Sequence, residues 1–223
     1  MALILLIETA TKSCSVALAL NDKIIACKEE VNEKYSHAEQ LNTFILNLFQ
    51  GQKLDLQNID AIAVSKGPGS YTGLRIGIST AKGLCYSLDK PLISISTLRS
   101  MAYGVAQKET ADLYCPMIDA RRMEVYNAFY DTSNNEVRAI NADIINEDSY
   151  QKELELEVLF FGDGAKKCSQ LIKHPNARFL DEIYPSSKDM ATLAMQKFDN
   201  KAFEDIAYFE PCYLKDFVVG KKC

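Results

Sequence analysis

Two carboxylates that end apolar runs, and one glycine-rich turn, are the parts of this 223-residue chain whose types and spacing could do chemistry. Glu8 follows the run Leu3 to Ile7, and Asp119 follows Cys115-Pro-Met-Ile118. In each case an apolar strand ends in a carboxylate, turns, and returns as a strand. With Glu124, such groups could position Mg²⁺ or water against a phosphate. The glycine turn is Ser65-Lys-Gly-Pro-Gly-Ser-Tyr-Thr-Gly-Leu-Arg-Ile-Gly77. A strand, then Gly67, Gly69 and Gly73, then a helix would aim free backbone N–H groups at an anion. The same turn would also let helix and sheet pack closely. It is neither a Walker A loop, lacking Lys-Ser/Thr after Gly73, nor a dinucleotide fingerprint, since its glycines read G-x-G-x-x-x-G.

Other chemistries find little support. The two histidines, His37 and His174, are far apart. There is no G-x-S-x-G elbow, and no histidine is matched to a serine or cysteine, which argues against a peptidase. The seven cysteines are widely spaced, odd in number and without a C-x-x-C, as expected of reduced, buried thiols in a cytoplasmic protein. A net charge of −5 gives no support to broad nucleic-acid binding and leaves room only for a local basic patch. No apolar run is long enough to span a membrane. The opening residues lack a basic start and read as a buried strand, not a signal peptide.

The elements that must hold these groups follow from pattern. Strands are expected at residues 3–7, 15–20 and 23–31, with Asn21-Asp22 as a hairpin turn. Ser36-His-Ala-Glu39 suits a capping box, and Leu41, Phe44, Ile45, Leu48 and Phe49 fall at helical spacing to about Gly51. A strand from about Ile59, the glycine turn, a helix from Leu74 to about Ser87, a strand over 91–96 and a helix from Thr97 to about Ala106 complete a unit. Three strands, helix, strand, helix, strand is the ribonuclease H-like order, with the fourth and fifth strands parallel to the first. The fold class is therefore α/β. Gln107 to Asp112 divides the chain into 1–106 and 107–223. Beyond it, strands are expected near 136–145 and 158–161, and a helix over about 187–197. The hairpin echo between Glu8 and Asp119 suggests two related lobes.

With the glycine turn in this order, the sequence resembles the TsaB family, a subunit of the bacterial machinery that makes threonylcarbamoyladenosine in tRNA beside the anticodon. Gly67 to Gly77 carries the hallmark. Ile7-Glu-Thr-Ala-Thr, Asp119-Ala-Arg-Arg-Met-Glu-Val-Tyr126 and Glu210-Pro-Cys-Tyr-Leu match further segments, although the family often has Asp where Glu8 stands. The resemblance implies two ribonuclease H-like lobes of the actin-like/sugar-kinase ATPase superfamily, each a mixed five-stranded sheet flanked by helices. It also implies a non-catalytic partner of the transferase TsaD, joined by the small ATPase TsaE, with tRNA reached only through the complex. Older descriptions call such proteins glycoprotease-like.

The resemblance bears on the sites residue by residue. TsaD carries H-x-x-x-H on its first helix, whereas here Leu41 follows His37, so no metal site is expected. No cofactor is expected to be required, with ATP or ADP bound at most weakly or at a subunit boundary. A vestigial nucleotide site would comprise Glu8, Thr9, Thr11, Asp119, Arg121, Gly162 and Gly164. The first turn lacks a glycine for phosphate, Arg121 and Arg122 bind an anion or pair with Asp119 and Glu124, and Gly162-Asp-Gly164 approaches a nucleotide or merely turns the chain. The partner interface is expected on the first-lobe helices at His37, Leu41, Ile45, Leu48, Leu74, Gly77, Ile78, Ala81 and Lys82, with self-pairing as a homodimer when TsaD is absent. On that reading Ala81→Arg breaks association and leaves the fold intact. The alternative function is a stand-alone nucleotide-dependent phosphotransferase or ATPase using Glu8 and Asp119.

Overall fold

The computed structural model describes residues 1–32 and 37–215, so Ser36 of the expected capping box lies outside the described residues. The first sheet contains β1 (Leu3–Glu8), β2 (Ser13–Leu20), β3 (Lys23–Val31), β4 (Ala61–Ser65) and β5 (Leu92–Ile95), in the order β3-β2-β1-β4-β5. β1 pairs antiparallel with β2 and parallel with β4, and β4 pairs parallel with β5. Every residue of β1 is buried, as the unbroken apolar run requires of a central strand covered on both faces.

The second sheet repeats the plan with β6 (Leu113–Asp119), β7 (Glu124–Tyr130), β8 (Glu136–Ile144), β9 (Val158–Phe161) and β10 (Ala177–Leu180), ordered β10-β9-β6-β7-β8. The two sheets make an α/β, two-lobed arrangement, each lobe a mixed five-stranded sheet with the ribonuclease H-like strand order expected from the sequence.

Helices α1 (His37–Gln52) and α2 (Tyr71–Leu88) cover one face of the first sheet. α2 starts three residues before the expected Leu74, because the Ser70 hydroxyl accepts the Gly73 N–H at 3.2 Å and so caps the helix there. β4 starts at Ala61 because Leu56–Asn58 forms a 3₁₀ turn, with reciprocal bonds between Asp55 and Asn58. β10, which the apolar pattern did not reveal, is short and only half-buried.

Two of the remaining helices cross between lobes. α3 (Thr97–Ala106) follows β5 yet buries Leu98, Met101, Ala102 and Val105 against Tyr114, Ile118 and Leu159 of the second sheet. The short α4 (Ala165–Cys168) lies on that sheet's other face. α5 (Ala191–Asp199) follows β10 yet packs Ala191, Leu193 and Ala194 on the free face of the first sheet, beside Ile4, Leu6 and Ile93. The boundary at 106/107 thus separates the two sheets, while each half of the chain supplies a helix to the other half's sheet.

Candidate functional site in the inter-lobe cleft and on the outer helices

A cleft of about 900 Å³ runs between the lobes. One wall is built from the β1–β2 turn, the glycine turn and the start of α1, the other from the β6–β7 turn, Tyr126 and Asp163; residues 212–215 of the tail border it.

The first wall is closed against its own backbone. A Cβ added to Gly69 would lie 2.2 Å from the Ala10 carbonyl oxygen, one on Gly73 2.2 Å from that of Thr9, and one on Gly77 2.2 Å from Thr9 Oγ1. These glycines recur every four residues, so one face of the turn and α2 presses on the β1–β2 turn. The Ser70 N–H donates to the Ala10 carbonyl at 2.6 Å. His37 adds a pin: its Nε2 lies 2.7 Å from the Thr11 carbonyl oxygen, which can only accept, so Nε2 carries the proton. His37 is buried and spent on structure.

Glu8 is fully buried, accepting the Ala10 N–H at 2.6 Å. Burial pushes its carboxyl up from 4.5 to about 7, because the low-dielectric interior disfavours the charged form. Neither Glu8 nor Thr9 reaches the cleft, whereas Thr11 does. On the second wall Asp119 and Arg121 line the cleft. Gly162 and Gly164 lie behind it, where a Cβ would meet the Met117 carbonyl at 2.2 Å and Val125 at 2.8 Å. Among the seven proposed nucleotide-site residues, the structure therefore brings Thr11, Asp119 and Arg121 together at the cleft and holds the other four in the packing. Asp119 is ion-paired with Lys167, and Glu124 with Lys215. Among the described residues no three His, Cys, Asp or Glu side chains are grouped to hold a metal.

The expected interface residues are relocated. His37, Leu41, Ile45, Leu48, Leu74, Gly77, Ile78 and Ala81 are buried within this single chain. They form the inward stripes of α1 and α2, because helical periodicity marks the face that covers the sheet. Ala81 is fully buried, so an arginine there would break the core, contrary to the expectation. Lys82 donates to the carbonyls of Ala207 (3.3 Å) and Phe209 (3.2 Å) and so fastens the tail. The outward face carries Leu46, 51% exposed, and Tyr86, 84% exposed, with Arg75, Ser79 and Gly83. An added Cβ on Gly83 would meet nothing within 4 Å.

The tail supplies residues that sequence reasoning missed. Cys212 donates its N–H to the Lys66 carbonyl at 2.7 Å, and Arg75 Nε donates to Tyr213 Oη at 3.1 Å. Tyr213 packs on Tyr71 with ring centroids 4.9 Å apart. The segment Glu210-Pro-Cys-Tyr-Leu marked this stretch, but nothing local shows that it returns 138 positions to α2.

The chain is 33% identical to the tRNA threonylcarbamoyladenosine biosynthesis protein TsaB of Escherichia coli (strain K12), over 98% of its own length and 97% of that protein. It belongs to the TsaB family. The TsaB of Haemophilus influenzae is 30% identical over 98% of the chain and 96% of that protein. The family model described as "TsaD: tRNA N6-adenosine threonylcarbamoyltransferase" matches residues 30–220. A Pseudomonas aeruginosa structure, described as an uncharacterized protein with similarity to peptidase YeaZ, superposes with a TM-score of 0.85 at 26% identity, covering 96% of this chain and all of that one.

Proposed function

We propose that this TsaB-family chain acts in the biosynthesis of threonylcarbamoyladenosine in tRNA as a non-catalytic subunit that binds and supports TsaD. The observation that carries the proposal is the outer face of α1 and α2: Leu46 and Tyr86 are exposed on a single chain, and Gly83 leaves room for a close-packed helix. Family membership supports the pathway. The non-catalytic role is supported by Leu41 in place of a second helix histidine, by a buried Glu8 and by the closed first turn. TsaD occupies the outer face; without it a second copy does, and TsaE completes the assembly in the cytoplasm. No helix among the described residues is long and apolar enough to cross a membrane.

The test is reconstitution with TsaD, TsaE, ATP, threonylcarbamoyl-AMP and tRNA. Modification should depend on this chain, and Gly83→Arg should abolish both association and modification. Equal modification without the chain would remove the proposal.

A further inference from the structure

The tail crosses from one wall of the cleft to the other. Cys212 is tied to the first lobe by its N–H, which donates to the Lys66 carbonyl at 2.7 Å. Three residues later Lys215 reaches the second lobe, where it pairs with the Glu124 carboxylate and its Nζ lies 5.9 Å from the centre of the Tyr126 ring. Three peptide units span at most about 11 Å, so the crossing leaves little slack. Residues 212–215 all line the cleft.

Burial does not hold this crossing. Tyr213 and Lys215 are exposed, and Pro211, Cys212 and Leu214 are only half-buried. Tyr213 is placed by its ring contact with Tyr71, 4.9 Å between centroids, and by the Arg75 Nε–H at 3.1 Å. The Lys215–Glu124 pair keeps its side chains 39% and 20% exposed. Partly exposed ion pairs and single hydrogen bonds hold weakly, and a segment with few buried contacts opens locally well before the fold does. The walls lack that freedom, since α3 and α5 each bury apolar side chains on the other half's sheet. The tail is therefore the part of the cleft's border that can move.

Arg75 ties the crossing to a second surface. It lies on α2 outside the cleft lining and is exposed on the same outward stripe as Ser79, Gly83 and Tyr86, at steps of four, four and three residues. Its guanidinium rests 4.0 Å from the centre of the Tyr71 ring, and its Nε–H goes to a phenol, a neutral acceptor. A carboxylate is the stronger acceptor for a guanidinium, so an acidic side chain on a helix packed along this stripe would draw Arg75 away from Tyr213. We propose that residues 212–215 form a latch across the inter-lobe cleft, and that a partner seated on the outer face of α2 releases it through Arg75. The partner's identity rests on the function proposed above; the latch does not.

The full chain contains no tryptophan, so Tyr126→Trp, labelled as 5-fluorotryptophan, gives a single fluorine reporter beside Lys215 and keeps an aromatic ring there. Broadening of its resonance by a soluble gadolinium chelate measures access to the cleft. Arg75→Met, which removes no cleft-lining side chain, should raise that broadening about twofold or more, and Lys215→Met should do the same. Both changes are at exposed positions, so the circular dichroism melt should not move. Unlabelled TsaD should raise the broadening in the chain that keeps Arg75 and leave it unchanged in Arg75→Met, where the latch is already open. If Arg75→Met leaves the broadening at its starting value, the latch is overturned. If both variants raise it and bound TsaD does not, release by the partner is overturned. If TsaD does not bind at all, the proposed function and the release fall together, while the two variants still decide the latch.

Discussion

Glu8→Gln should make this protein more resistant to denaturation above neutral pH. The Glu8 carboxyl is fully buried at the end of β1 and is pushed by burial from 4.5 to about 7. A folded value above the unfolded one means the fold prefers the protonated acid. The stabilising contribution is complete below pH 4.5 and is lost as pH rises through about 7. At 1.36 kcal/mol for each pH unit between those values, the loss approaches roughly 3 kcal/mol, most of which falls between pH 5 and pH 8. Glutamine keeps the oxygen that accepts the Ala10 N–H and carries no charge to desolvate. Asp189, pushed up to about 6, also by burial first, acts in the same direction and stays in both proteins. Urea denaturation of both proteins at the two pH values gives the readout. The stability gap between variant and native chain should move toward the variant by roughly 2–3 kcal/mol on going from pH 5 to pH 8. An unchanged gap, or one moving the other way, would show that the carboxylate is not held uncharged by the fold.

Gly73→Ala should destabilise the chain by roughly 2 kcal/mol or more, since the new methyl meets the Thr9 carbonyl at 2.2 Å. Helix propensity alone would give the opposite sign, so a thermal melt decides between them. Gly83→Arg should leave the circular dichroism melt unchanged and reduce a dimer or a TsaD complex to monomers on size exclusion, whereas Ala81→Arg should fail to fold. Lys82→Met removes both donors to the tail at Ala207 and Phe209 and should speed proteolytic clipping after residue 200 without changing the melt by more than about 1 kcal/mol.

Elements whose evidence is local were legible in the sequence. The apolar run of β1, the Asn21-Asp22 turn and the helical spacing of Leu41 to Phe49 each report on neighbours, and strand order followed from counting them. The lobe echo around Glu8 and Asp119 found both hairpins. What was illegible depends on contacts between distant positions. Periodicity located the stripes of α1 and α2 but gave them two candidate faces to cover, and the sheet took the one assigned to a partner. The glycines at 69, 73 and 77 announced close approach without saying to what; the answer, Thr9 and Ala10, lies some sixty residues back. Asp119 and Glu124 looked like free carboxylates because Lys167 and Lys215 are far along the chain. Nothing in the composition of α3 or α5 says that each crosses to the other half's sheet.

That exchange of α3 and α5 has a consequence for any attempt to cut the protein in two. A fragment ending at residue 106 would present Leu98, Met101 and Val105 to water and leave Ile4, Leu6 and Ile93 uncovered. The complementary fragment would carry α5 with no sheet beneath it. Expressed apart, the pieces should aggregate; expressed together, each completes the other, as in a split reporter. The same interlock resists the hinge-like swing by which two lobes could open around a ligand, because opening would strip α3 and α5 from the sheets they cover.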